Sequence, residues 1–245
     1  MPVYSAHAGP LFTEHLASGK PLDDVQLNGM DLTGWNFAGR AFTGLSVRRS
    51  ILDRADFGGA RIHESVVEES NLKDVRFDGA LLEETSFSSC VLMRSSFRGS
   101  RMEGGSFRGS YMQRLLFSSA VFSGTLFMNV EAALSEVRES VFYDCHFRFD
   151  DTGGITGFQE SSFHNCLFIG CTMEGFALTG VDLTGTVFID SRFRIPDWED
   201  TEIGEASFIG CSGLPLWLRR GECSMKELTA REEAAVFIAS TGGAA

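Results

Sequence analysis

From Leu22 to Phe147 every fifth residue is apolar, twenty-six positions in one unbroken register. Apolar residues make up 43% of the sequence, so a run this long is an internal repeat and not an accident of composition. A period of five matches neither the 3.6 of an α-helix nor the 2.0 of a strand. It fits a chain that turns a corner every five residues and points one side chain inward per side. Such a chain spends most of its length on a rod, with little left to wall a catalytic pocket.

The residues around each apolar centre support this. Two positions before it the side chain is small: of the twenty occupants from Ser50 to Cys145, only Leu115 is large. One bulky and one small inward residue per side would fill a narrow square interior at native density. Two positions after the centre glycine recurs, at Gly29, Gly34, Gly39, Gly44 and Gly59 among others. A tight corner needing positive φ selects it there. The register breaks once, where Phe147 is followed by Phe158 eleven residues on. That is one residue too many for the array, and it reads as a bulge or short loop at 148–157.

The unit small–x–apolar–x–Gly resembles the pentapeptide repeat family, most closely in Ala55-Asp56-Phe57, Ser70-Asn71-Leu72 and Val181-Asp182-Leu183. The resemblance spans residues 20–212 and implies an all-β solenoid, a right-handed quadrilateral β-helix of four units and twenty residues per coil. Phe37, Phe57, Phe77, Phe97 and Phe117 lie twenty apart, as do Phe168, Phe188 and Phe208, so the spacing independently predicts aromatic ladders inside the rod. The units amount to about nine coils and roughly 45 Å at the strand spacing. Three segments follow: 1–19 with a short capping helix at Leu11–Gly19 over Leu22 and Leu27; 20–212, the β-helix; and 213–245, a helical cap or dimerisation segment. Open solenoid ends call for such caps.

The formal charge is −12, and residues 148–212 carry three basic against eleven acidic side chains. An acidic body disfavours direct nucleic-acid binding and suits a basic protein partner. No apolar run is long enough to span a membrane, and residues 1–10 do not read as a signal peptide. Five of the six cysteines (Cys90, Cys145, Cys166, Cys171, Cys211) share the small slot, the pattern of buried reduced thiols. A cytoplasmic location is expected, with secretion by a signal-independent route left open.

No catalytic constellation is apparent, and a convex rod supplies no cleft for one. Cys166 and Cys171 beside His164 invite a metal reading, but both fall in the inward small slot without a matching ligand set. We therefore expect no enzyme, cofactor or metal. The expected function is a protein–protein interaction scaffold, an adaptor or effector, binding along a rigid face. The candidate site is an apolar and basic area around residues 111–128: Tyr111, Leu115, Leu116, Val121, Leu126 and Met128, flanked by Arg94 and Arg114. Exposed apolar areas of this kind mark partner sites. The alternative is modulation of DNA gyrase or another topoisomerase by duplex mimicry. It rests on resemblance to quinolone-protecting family members and on the acidic residues Asp190, Asp197, Glu199, Asp200, Glu202 and Glu205. A homodimer through the C-terminal segment accompanies it.

Overall fold

The computed structural model describes residues 3–5, 9–18, 22–149, 157–175, 178–194, 198, 200–215 and 218. Each five-residue unit gives a three-residue strand or bridge and then a corner, and four units close one coil. Strands stack on their equivalents one coil away in parallel register: Leu27 on Val47, Ile62 on Leu82, Met102 on Phe122. The first face, centred on Leu22, Phe42, Ile62 and onward to Phe208, is a ten-stranded sheet. The second, with nine strands centred on Leu27, Val47 and onward to Phe193, is made ten-stranded by Val3–Ser5 at its N-terminal edge. The third runs as isolated bridges from Asp31 through Ile51, Asn71, Val91 and Tyr111 to Glu131 and Gly157. The fourth begins likewise at Asn36 and becomes a three-stranded sheet at Leu116–Ser118, Glu136–Arg138 and Ser162–His164.

Alternation along each strand turns the centre inward and its two neighbours outward. The centres are buried from Leu22 to Phe193, Phe97, Phe107, Phe127 and Phe142 completely, and only the last three, Trp198, Ile203 and Phe208, are half-buried. Rings stack at the strand spacing: Phe57 on Phe77 at 5.2 Å, Phe142 on Phe168 at 4.5 Å, Phe188 on Phe208 at 5.0 Å. The fourth-face ladder from Phe37 stays stacked as far as Phe97. Phe117 then meets Phe97 edge-on at 65°, at the coil where that face turns from bridges to strands. Burial of each large centre is worth about 1.5–3 kcal/mol, most of it offset by the chain entropy lost on ordering.

The small slot has a second duty beyond size. Where a corner closes as a hydrogen-bonded turn, the slot's own N–H is satisfied locally: Ala55 donates to the Leu52 carbonyl at 2.9 Å and Ala60 to that of Phe57 at 3.0 Å. At other corners a hydroxyl one coil on accepts the N–H. Leu45 donates to Ser65 Oγ at 3.1 Å and Ala120 to Ser140 Oγ at 3.2 Å, while each hydroxyl donates to a carbonyl, His63 and Arg138 respectively. Buried backbone donors need such partners, which is why serine and threonine share the slot with alanine.

Left-handed backbone marks the corners, and not only at glycine. Arg54, Asp74, Arg94, Arg114 and Leu134 all have φ between 57° and 61°. This is a costly conformation for residues with a Cβ, tolerated because stacked coils over-determine it.

At the break, the partner offset changes from twenty to twenty-six: Val141 lies on Leu167 and His146 on Thr172. The insertion is thus six residues outside one coil, where the spacing alone suggested a single extra residue. Residues 150–156 lie outside the described set.

The N-terminus departs from expectation. Val3–Ser5 (β1) adds a strand beyond Gln26–Asn28, setting Tyr4 on Leu27, and the helix α1 spans Gly9–Ala17, earlier than Leu11–Gly19. Its Phe12 is fully buried, stacked on Trp35 at 5.4 Å and 6.4 Å from Phe37. It closes the bore at the fourth face. Of the C-terminal segment only residues 213–215 and 218 are described; Leu214 is buried against the last coil. The helical cap or dimerisation segment expected at 213–245 otherwise lies outside the described residues.

Candidate protein-interaction site

A four-sided coil dictates which surface residues can meet. Neighbours on one face are twenty residues apart in sequence; residues five apart are turned onto adjacent faces. The expected area at 111–128 therefore does not form. Tyr111 lies on the third face, Leu116 on the fourth, Val121 on the first, and Leu126 and Met128 on the second. Leu115 is a correction of a different kind: it occupies the inward small slot and is fully buried.

Tyr111 does belong to a face whose neighbours lie one coil apart, Val91 adjoining it and Ile51 lying two coils beyond Val91, across Asn71. The outward positions of the third face include Ile51, Val91 and Tyr111 in one column and Met93, Gln113 and Ala133 in the next. The corner that follows carries Arg54, Asp74, Arg94, Arg114 and Leu134. Among the described residues the exposed large apolar side chains are Leu11, Ile51, Tyr111 and Leu134, and three of these four belong to this face and corner. Tyr111 is the most open of the three, at 55%. Arg94 clamps Asp74 with two bonds of 2.7 Å, which hold the Asp74 carboxyl below its ordinary value chiefly through that side-chain hydrogen bond. Arg114, next along the corner, makes no ion pair among the described residues, and its guanidinium is exposed beside the Tyr111 coil. An accessible aromatic ring next to an unpaired arginine has the composition of interface hot spots. Sequence reasoning named Tyr111, Arg94 and Arg114 but missed Ile51 and Leu134; the twenty-residue step was the signal that could have found them.

Elsewhere the surface neutralises itself along the rod. Arg48 meets Glu68 at 3.1 Å, Arg49 meets Glu69 at 3.4 Å, and Arg194 meets Glu174 at 3.2 Å, each one coil apart. Such exposed pairs contribute little to stability. Of the acidic candidates, Glu202 follows Asp182 in the outward column of the fourth face, Asp200 and Glu205 are exposed at the corners on either side of it, and Asp190 sits on the corner after the first face. Asp197 and Glu199 lie outside the described residues. His164 Nε2 lies 2.6 Å from Asp182, outside the rod.

The five cysteines among the described residues are inward. Cys90 Sγ donates to the carbonyls of Val67 and Ser88 at 3.3 Å each, taking the hydroxyl's place in the slot. Burial pushes its thiol up to about 11, and that of Cys166 up to about 12. Among the described residues no group of three or more His, Cys, Asp or Glu is placed to hold a metal ion. No helix among them is long and apolar enough to cross a membrane.

This stacking of five-residue units around a filled square bore defines a β-solenoid of the pentapeptide type. A family model described as pentapeptide repeats matches eight copies, at residues 70–109 and 158–194, and the chain is a pentapeptide repeat protein. It matches no curated protein sequence. Among solved structures it is similar to full-length QnrB1, a plasmid-mediated fluoroquinolone resistance protein, at 19% identity, covering 78% of this chain and 94% of that one, with a TM-score of 0.41. It is also similar to HetL, a pentapeptide repeat protein involved in heterocyst differentiation regulation from the cyanobacterium Nostoc sp. strain PCC 7120. There the identity is 14%, the coverage 81% and 95%, and the TM-score 0.31. An alginate lyase from Paenibacillus sp. str. FPU-7 matches at 10% identity, covering 85% of this chain and 98% of that one, with a TM-score of 0.34.

Proposed function

We propose that the protein is a non-enzymatic interaction scaffold that binds a protein partner along its third face. The observation that carries this reading is that Tyr111 and Leu134, exposed one coil apart on the third face and its corner, lie beside Arg114, which makes no ion pair among the described residues, with Ile51 exposed further along the same face. A stiff rod can hold such groups in place before binding, which limits the ordering cost that association must meet. The arginine favours a partner bearing carboxylates around an apolar spot. Tyr111→Asp combined with Arg114→Glu should abolish capture of that partner while thermal unfolding stays unchanged. Retained capture by the folded double variant would reject the reading.

A second reading, modulation of a topoisomerase by duplex mimicry, draws support from one observation: Asp182, Asp200, Glu202 and Glu205 gather toward the end of the fourth face in a chain of net charge −12. A supercoiling assay with purified gyrase at micromolar protein tests it, and no effect ends it. In either case we place the protein in the cytoplasm and assign a homodimer contact to residues 213–245.

A further inference from the structure

The fourth face carries a notch at the coil where its bridges become strands. One of its outward columns runs Asp78, Arg98, Ser118, Arg138 and His164, each one coil beyond the last. Ser118 is the shortest side chain of the five. It stands between two arginines whose Cα atoms are two strand spacings apart, about 10 Å. The gap is a cavity of about 350 Å³ lined by Arg98, Leu116, Phe117, Ser118, Glu136 and Arg138.

One positive charge at this cavity is left without a counterpart. Asp78, one coil before Arg98, is already engaged: one carboxylate oxygen accepts the Arg98 backbone N–H at 3.1 Å and the Ser96 hydroxyl, and the other lies 3.4 Å from Arg76 Nε. The Arg98 guanidinium is exposed and makes no ion pair among the described residues. On the far side of the notch Arg138 pairs with Glu136, which offsets one of the two guanidinium charges. The Ser118 hydroxyl between the arginines makes no hydrogen bond among the described residues either. Half-buried Leu116 supplies an apolar wall.

We propose that this notch is a binding site for a small organic carboxylate. A guanidinium fork matches a carboxylate in geometry and charge. The Ser118 hydroxyl donates to the same group, and Leu116 meets the alkyl part of the ligand. One surplus positive charge suits one carboxylate and leaves part of a phosphate dianion unmatched. A cavity of this volume lies at the small end of ligand sites, and Arg98 and Arg138 bound it lengthwise, which favours a free acid over a length of protein chain. The site shares no residue with the Tyr111 face, so it fills whether or not a protein partner is bound there.

An NMR titration of the full-length protein with 4-methylvalerate tests this. The Leu116 and Ser118 amides and the Arg98 side-chain N–H should shift saturably, and the uncharged amide of the same acid should shift none of them. Arg98→Gln should weaken binding by about tenfold or more, the loss of one charge-assisted contact. Ser118→Leu, which fills the notch and keeps both arginines, should weaken it as much, and Tyr111→Asp should leave it unchanged. Absence of a saturable shift at Leu116 and Ser118 would overturn the proposal, as would full binding by folded Arg98→Gln and Ser118→Leu variants. Equal or tighter binding of inorganic phosphate would overturn the carboxylate assignment. Tighter binding of the blocked peptide acetyl-Leu-Glu-amide than of the free acid would overturn it too, by giving the notch to an acidic side chain of a protein.

Discussion

The smallest unit that decides this fold is the residue in the small inward slot, which must be both compact and, at many corners, a hydrogen-bond acceptor. Ser140 Oγ accepts the Ala120 N–H and donates to the Arg138 carbonyl. Ser140→Ala should therefore cost about 1–3 kcal/mol, the penalty of stranding a buried donor, whereas Ala60→Ser should return no comparable gain. Denaturant titration of both variants measures the difference. Size at this slot was legible in the sequence, since every small residue type satisfies it. The hydroxyl's role was not, because serine and alanine look equivalent until the corner type is known. At the corner residues, Asp74 offers a pH test. Its carboxyl is held below the ordinary range by the Arg94 hydrogen bond, so its contribution is present above about pH 4 and fades as pH falls through the folded-state value. The difference in melting temperature between wild type and Asp74→Asn should be small at neutral pH and vanish in strong acid; a difference that persists at low pH would show that the pair is not its cause.

At the scale of the coil, the four sides share one interior, and there is no slack in it. A Cβ on Gly105 would lie 2.2 Å from Met102 Cε and 2.4 Å from the Thr85 carbonyl oxygen. The methionine can swing away but the backbone oxygen cannot, so Gly105→Ala should destabilise by about 1–3 kcal/mol, seen as a lower denaturation midpoint with an unchanged slope. Coil length was legible from the twenty-residue recurrence of Phe57, Phe77 and Phe97, because like stacks on like. The candidate site was only partly legible, for a geometric reason. Tyr111, Leu116, Val121 and Leu126 are close in sequence and so look like one surface, but each five-residue step turns the chain onto the next face. Tyr111 and Leu134 are twenty-three residues apart, and one coil brings them together. β1 was also hidden: residues 3–5 carry no repeat, and only their pairing with Gln26–Asn28 gives Tyr4 its place on Leu27.

At the scale of the whole molecule, the protein is a stiff four-sided rod whose inside is spent on packing and whose outside is free to differ from face to face. Charge pairs neutralise much of that outside, the first face turns apolar beyond Val121, and the third face presents an aromatic ring with an unpaired arginine. Function then depends on which face meets the partner. One coil supplies a direct test, because Tyr111, Leu116, Val121 and Leu126 place one outward position on each of its four faces. A photo-activated benzoyl-phenylalanine introduced singly at each position, followed by irradiation in cells of the source organism, reads out the face in use. The account predicts a specific cross-linked partner from position 111 and none from 116, 121 or 126; a partner captured from those three faces but not from 111 would contradict it.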